Sequence, residues 1–177
     1  MYNQVDKIIF SKEQIAQVVA NLGEQIDNDF QSKEVVLIGL LNSSIFFMAD
    51  LMRSIKSPQV IVDFLGVSDY GGIDHKGEPV RITKDIEENI ENKIVILTDL
   101  FMDSGLTLKF AFDYLKTKKV RDIKTCILMS RQDCLVADIS PDYIGFVSKE
   151  KRIYGYGADL NGKFRHLPFL CTLKDLK

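Results

Sequence analysis

The sequence has few of the features that mark disulfide-bonded, metal-binding or nucleic-acid-binding proteins. Its three cysteines, Cys126, Cys134 and Cys171, follow no metal or redox spacing. A net charge of −2, with lysine and arginine scattered along the chain, provides no basic surface for nucleic acid. No signal-peptide pattern precedes the cysteines, so we expect a protein of the reducing cytoplasm.

The sequence also lacks a hydrophobic run long enough to cross a bilayer. Its most apolar stretch, Val35–Met52, is interrupted by Asn42-Ser43-Ser44 and contains Asp50. A transmembrane helix needs about 20 consecutive apolar residues, so we expect no membrane contact. The 177 residues contain 46% hydrophobic residues and no repeats, linkers or low-complexity tracts, which predicts one globular domain over residues 1–177.

Apolar runs alternate with helical patterns, which predicts an α/β fold with a mainly parallel central sheet flanked by helices. A capping box at Ser11–Gln14 is predicted to open a first helix that continues to about Asp29. The other predicted helices are Ile45–Ile55 and Thr107–Lys118, and the predicted strands are Val35–Leu41, Val60–Val67, Val80–Lys84, Lys93–Leu100, Ile123–Met129 and Asp142–Val147. Ligands of such sheets bind at the carboxyl ends of the strands, where Asn42–Ser44, Asp99–Asp103 and Met129–Arg131 fall.

The most informative stretch is Lys93–Thr107, KIVILTDLFMDSGLT. An apolar strand pattern ends near Asp99, and Asp103 opens a small-residue turn that leads into a helical pattern. Backbone N–H groups and the helix dipole at such a turn favour an anion, and Ser104 and Thr107 add hydroxyl donors. The neighbouring acids suit a ligand that carries phosphate, sugar hydroxyls and a divalent cation together.

This stretch resembles the 5-phosphoribosyl 1-diphosphate (PRPP) signature of the type I phosphoribosyltransferases. Other segments resemble the hypoxanthine-guanine phosphoribosyltransferases in the same order and spacing, from about Val35 to Leu170. These segments are the strand, loop and helix VVLIGLLNSSIFFMADLM, the strand and loop VDFLGVSDYG, and the purine-site segments PDYIGF and GYGADLNGKFR.

The resemblance implies purine salvage, in which ribose 5-phosphate passes from PRPP to hypoxanthine or guanine, giving IMP or GMP and releasing pyrophosphate. It also implies Mg2+ as cofactor, PRPP and a purine base as partners, a homodimer or homotetramer, and a small hood formed by the terminal segments. An alternative is a regulatory paralogue that senses nucleotide or PRPP without efficient turnover. Another base, such as xanthine, is also open.

The resemblance assigns roles to individual residues. Asp103 is the expected acid/base at the purine, and the cradle for the 5-phosphate is Asp103, Ser104, Gly105, Leu106 and Thr107. Pyrophosphate is assigned to Asn42, Ser43, Ser44 and Arg165, and the purine to Arg131, Arg152, Ile153 and Asp159. Asp99 and Asp159 are assigned to the metal, and Ser68 and Tyr70 to a flexible lid. Asp103 as a simple helix cap, and Asp159 as a surface-loop acid, are the alternatives.

The sequence departs from the family pattern at several of these positions. Arg131 replaces a lysine that reads the purine's exocyclic oxygen, and Arg152 replaces a stacking aromatic residue, for which Tyr154 could substitute. Leu100 replaces the second of two paired acids, and Asn42-Ser43 replaces a lysine and a glycine. If the missing acid limits PRPP binding, Leu100→Asp should lower the Michaelis constant for PRPP.

Overall fold

The computed structural model describes residues 3–31, 33–68 and 80–174. In chain order the elements are β1 (Val5–Phe10), α1 (Lys12–Phe30), β2 (Val35–Leu41), α2 (Ile45–Ser54), β3 (Val60–Val67), β4 (Ile82–Lys84), β5 (Ile94–Met102), α3 (Leu106–Lys116), β6 (Asp122–Ser130), a 3-10 turn (Gln132–Cys134), β7 (Tyr143–Val147) and β8 (Leu170–Leu173).

Six strands form the central sheet in the order β4-β3-β2-β5-β6-β7. Every neighbouring pair is parallel except β3 with the short edge strand β4, which is antiparallel. The predicted mainly parallel sheet is therefore confirmed. Parallel order brings the carboxyl ends of β2, β5 and β6 to one edge of the sheet, where ligands of this architecture bind.

Helices cover both faces of the sheet. Because successive side chains of a strand point to opposite faces, each central strand supplies two sets of apolar residues. One set packs with α1 and α2, and the other packs with α3. The first core includes Ile15, Leu22, Leu37, Phe47, Leu51 and Ile96, and the second includes Val36, Ile38, Val95, Leu97, Leu108 and Leu115.

The predicted capping box opens α1. The Ser11 hydroxyl accepts from the backbone N–H of Gln14 at 3.3 Å, and the Gln14 side chain accepts from the backbone N–H of Ser11 at 2.8 Å. Both otherwise unpaired donors are satisfied locally, which is why the sequence alone located this helix start. None of the helices in the described ranges is long and apolar enough to span a membrane.

The terminal segments form a separate two-stranded sheet, in which β1 pairs antiparallel with β8. Neither strand was predicted, because half of the β1 residues are exposed and β8 has only four residues. Tyr154 joins this small hood through its backbone N–H, which donates to the Cys171 carbonyl at 2.8 Å. The hood thus holds the segment that begins the predicted purine site.

Strand β5 continues two residues beyond the predicted Leu100, because its pairing with β6 extends to Met102 and Ser130. Asp99 and Leu100 therefore lie within the strand, and the turn begins at Asp103. Because both residues are part of the strand, Asp99 contacts Ser43 of the loop after β2, and Leu100 packs in the apolar core.

Candidate active site

The turn after β5 has a backbone that only glycine adopts readily at its centre. Gly105 has φ +77° and caps α3, and its carbonyl accepts from the Lys109 N–H at 2.8 Å. A Cβ at this position would lie 2.9 Å from a methyl carbon of Leu135. The Leu106 N–H donates to the Ser104 hydroxyl at 3.4 Å, so the start of α3 is organised within the turn itself.

Asp103 does not cap this helix. The Asp103 carboxylate makes no capping hydrogen bond to α3 and instead receives two hydrogen bonds from Arg131, from Nε to Oδ1 and from Nη2 to Oδ2. The Asp103 side chain is 47% exposed and the Arg131 side chain 17%. These bonds to Asp103 raise the pKa of Arg131 above its already high ordinary value, which keeps the guanidinium charged. The capping alternative for Asp103 is therefore wrong.

The loop after β6 packs on the turn after β5. The carbonyl of Ser104 accepts from the N–H groups of Val136 and Ala137, both at 2.9 Å, and the Arg131 N–H donates to the Met102 carbonyl at 2.9 Å. The predicted phosphate turn and the predicted purine reader are thus joined by backbone hydrogen bonds.

A cleft of about 500 Å³ opens beside the Asp103–Arg131 pair. Five of the predicted site residues line it, namely Asp103, Arg131, Arg152, Ile153 and Asp159. They come from the residues directly after β5 and β6 and from the segment after β7, so only the tertiary structure brings them together. Arg152 is exposed with φ +58°, and Tyr154, the suggested aromatic substitute, also lines the cleft.

Two residues that the sequence interpretation did not single out supply apolar surface to this cleft. Phe101 and Met129 are direct neighbours across β5 and β6, and both line the cleft with Ile153. Phe101 lies two residues from both Asp99 and Asp103, and residues at this spacing share one face of a strand. The alternation of side chains along β5 could therefore have identified Phe101 from the sequence as a residue on the same face as Asp99 and Asp103.

Asp159, which lines the cleft, forms an ion pair with Arg165. Arg165 Nη2 lies 2.7 Å from Asp159 Oδ1, the other Asp159 oxygen accepts from the Gly162 N–H at 2.7 Å, and Arg165 Nη1 donates to the Gly157 carbonyl. Asp159 is therefore more than a loop acid in solvent, since it fixes the arginine assigned to pyrophosphate.

The Asn42–Ser44 loop uses most of its hydroxyl groups internally. The Ser44 side chain is fully buried, and its hydroxyl donates to the Leu40 carbonyl at 2.6 Å. The Ser43 hydroxyl donates to Asp99 Oδ1 at 3.0 Å, and the same oxygen accepts from the Leu100 N–H at 2.7 Å. Asn42 is exposed at the edge of the sheet. Of the two serines, only Ser43 has a partly accessible side chain.

Leu100 is fully buried and belongs to the same apolar core as Ile153 and Tyr156. It also lies close to Gly157, whose φ is +108°. A Cβ on Gly157 would approach the Ser43 carbonyl oxygen to 2.0 Å and a Leu100 methyl carbon to 3.4 Å. The leucine therefore packs in the core against the predicted purine-site segment, and it is not among the residues that line the cleft.

The lid residues fall at the edge of the described region. Ser68 follows β3, and its hydroxyl accepts from the Arg81 N–H at 2.9 Å, while the Ser68 N–H donates to the Arg81 carbonyl at 3.0 Å. These bonds close the base of the loop. Tyr70 lies outside the described residues.

Within the described ranges, no group of three or more His, Cys, Asp and Glu side chains could enclose a metal ion. Mg2+ is commonly held by one or two carboxylates together with substrate phosphates and water. Asp99 and Asp159 carry oxygen ligands of the kind that Mg2+ prefers. In this structure Asp99 accepts hydrogen bonds from Ser43 and Leu100, and Asp159 is paired with Arg165.

The chain matches the phosphoribosyl transferase domain family over residues 6–159. It is 37% identical to the hypoxanthine-guanine phosphoribosyltransferase of Streptococcus pyogenes, covering 97% of this chain and 94% of that protein. Among solved structures, a hypoxanthine phosphoribosyltransferase from Staphylococcus aureus superimposes with a TM-score of 0.92 at 33% identity, covering 98% of this chain and 94% of that one. A hypoxanthine-guanine phosphoribosyltransferase from Bacillus anthracis gives 0.89 at 36% identity, covering 97% and 99%.

Similarity of this extent fixes the class as well as the fold. The chain belongs to the phosphoribosyl transferase family and, within it, to the hypoxanthine-guanine phosphoribosyltransferases.

Proposed function

We propose that this protein is a purine-salvage enzyme that transfers the 5-phosphoribosyl group from PRPP to hypoxanthine or guanine, giving IMP or GMP and pyrophosphate. The observation that carries the proposal is the position of Asp103. Its carboxylate stands between the glycine turn at the start of α3 and the 500 Å³ cleft, within reach of a ligand that occupies both.

The 5-phosphate binds the turn Asp103–Thr107 in this proposal. The start of α3 supplies backbone donors and partial positive charge, and Thr107 and Ser104 supply hydroxyl groups. Arg165, held by Asp159, provides a charged fork for pyrophosphate, together with Asn42 and Ser43 of the loop after β2. Ser44 supports this loop through its bond to the Leu40 carbonyl.

The purine binds in the cleft against Phe101, Met129 and Ile153, with Arg152 and Asp159 at its edges. Arg131 donates to the exocyclic oxygen of a 6-oxopurine, which adenine lacks. Asp103 exchanges a proton with an imidazole nitrogen of the base as the bond to the anomeric carbon forms or breaks. Closure of the lid that includes Ser68 and Tyr70 would exclude water from the developing cation.

Mg2+ is the proposed cofactor, with Asp99 and Asp159 as the protein groups that would hold it. A cation held there would supply positive charge to offset the negative charge of the pyrophosphate leaving group. The burial of Asp99 supports this role, because a carboxylate in that environment gains from a nearby cation.

We also propose that the protein is a homodimer or homotetramer located in the cytoplasm. Residues 1–177 of each copy form a single domain in this proposal. Three free cysteines support a reducing compartment. The apolar side chains Ile45, Phe46 and Met52 are exposed on α2, which supports contact with a second copy. Light scattering after size-exclusion chromatography measures the number of copies.

An assay with PRPP, Mg2+ and each of hypoxanthine, guanine, xanthine and adenine tests the function. We expect IMP or GMP as products and poor use of adenine. Adenine used as well as hypoxanthine would contradict the role of Arg131. Measurable PRPP binding without product from any base would instead favour the regulatory alternative.

A further inference from the structure

We propose that Arg131 is a positioning residue for Asp103 as well as a contact for the purine, so that the two side chains work as one unit. This inference rests on the proposed function of the site. It concerns how the acid/base group is held, which the assignment of Arg131 to the purine oxygen does not address.

The positions of the two residues on the sheet favour a permanent pair. Met102 and Ser130 are the last paired residues of β5 and β6, and Asp103 and Arg131 follow them directly. The Arg131 backbone is fixed on both sides, because its N–H donates to the Met102 carbonyl and its carbonyl accepts from the Cys134 N–H at 3.0 Å. The Arg131 side chain is also mostly shielded from solvent, whereas Asp103 is open to the cleft.

The hydrogen-bonding capacity of the pair allows a purine to bind without breaking it. A guanidinium has five N–H donors, and Arg131 uses two of them on Asp103. A carboxylate has about four acceptor positions, of which the arginine takes two. The remaining donors of Arg131 can serve the purine carbonyl, and the remaining acceptor positions of Asp103 can serve a ring N–H.

A lysine at the same position could not hold Asp103 in this way. The ammonium group is a compact charge on a flexible stem, whereas the planar fork of arginine binds both oxygens and fixes the plane of the carboxylate. The substitution of arginine for lysine in this chain therefore adds an orienting function. A carboxylate held at fixed orientation is favourable for proton transfer, because the rate depends on alignment with the reacting nitrogen.

A double-mutant cycle with Arg131→Lys and Asp103→Asn tests the inference. Single-turnover rates with saturating PRPP and Mg2+ are measured for the wild type, both single variants and the double variant, together with hypoxanthine affinity. We expect Arg131→Lys to reduce the rate constant about tenfold, because the variant loses one charged hydrogen bond to Asp103. Hypoxanthine affinity should change little, because lysine still donates to the carbonyl. In the Asp103→Asn background, the same change should leave the rate constant nearly unaltered.

Rate effects that multiply in the double variant would overturn the inference, as would an Arg131→Lys variant that loses hypoxanthine affinity at an unchanged rate. Arg121→Lys, an exposed change at the opposite end of β6, is the matched control, and thermal unfolding of each variant shows whether it is folded. The proposed function fails by a different result, namely a wild-type protein that forms no nucleotide.

Discussion

The two ends of the candidate site use their polar residues differently. At the purine end, Asp103, Arg131 and Arg152 face a cleft. At the pyrophosphate end, the Ser44 hydroxyl is bonded to the Leu40 carbonyl, the Ser43 hydroxyl to Asp99, and Leu100 lies in the core. The motif residues therefore face an open cleft at one end, while at the other end several of them are engaged in internal hydrogen bonds and packing.

This contrast explains which departures from the family pattern change the site and which are absorbed. The arginine at position 131 keeps a cation in the cleft and makes two hydrogen bonds to Asp103. Leucine for an acid at position 100 removes a charge but fills space between Gly157 and the core.

The largest effect is expected for Asp103→Asn. Asparagine has a similar shape but cannot accept a proton at neutral pH, so the single-turnover rate constant should fall about 10²–10⁴-fold. PRPP affinity, measured by titration, should change only a few-fold, because the phosphate turn is intact. A variant that kept its rate but lost PRPP binding would show that Asp103 serves the phosphate.

The second effect concerns Leu100→Asp. The expectation from the sequence was tighter PRPP binding, but the structure places this side chain in a fully buried apolar position. An unpaired carboxylate there should lower the free energy of unfolding by at least about 3 kcal/mol. Chemical denaturation measures this free energy of unfolding. The control Leu100→Met, which keeps an apolar side chain, should lower it by less than about 1.5 kcal/mol. A stable Leu100→Asp variant with a lower Michaelis constant for PRPP would restore the original expectation.

Phe101→Ala tests the apolar surface at the purine end. If the ring packs on the base, hypoxanthine affinity should fall by about 1–3 kcal/mol, while PRPP affinity stays unchanged. Isothermal titration with each ligand separates the two effects. Phe101→Leu is the control that keeps apolar surface without the flat ring. Equal losses for both ligands would point to general damage to β5.

The smallest effect is expected for Ser43→Ala. If its hydroxyl serves Asp99, removing it should reduce the free energy of unfolding by about 0.5–1.5 kcal/mol and change the Michaelis constant for PRPP less than about threefold. A tenfold rise in that constant without loss of stability would place the hydroxyl on pyrophosphate and weaken the contrast between the two ends.

Local patterns were sufficient for most of the fold. Continuous apolar runs such as Val35–Leu41 predicted strands buried on both faces, and the Ser11 capping box located α1, because these signals depend on neighbours in sequence. The strands β1 and β8 were missed, since each is stabilised by pairing with a segment more than 150 residues away. The prediction of a single domain over residues 1–177 stays a prediction.

The sequence by itself determined the family, the strand–turn–helix at Asp103–Thr107 and the identity of five of the residues that line the cleft. Only the tertiary structure decided whether each of these side chains faces the cleft or the core. Residue type and spacing indicate what a side chain can donate or accept. Whether it faces a ligand, as Asp103 faces the cleft, or a neighbour in the core, as Leu100 does, depends on contacts between distant segments.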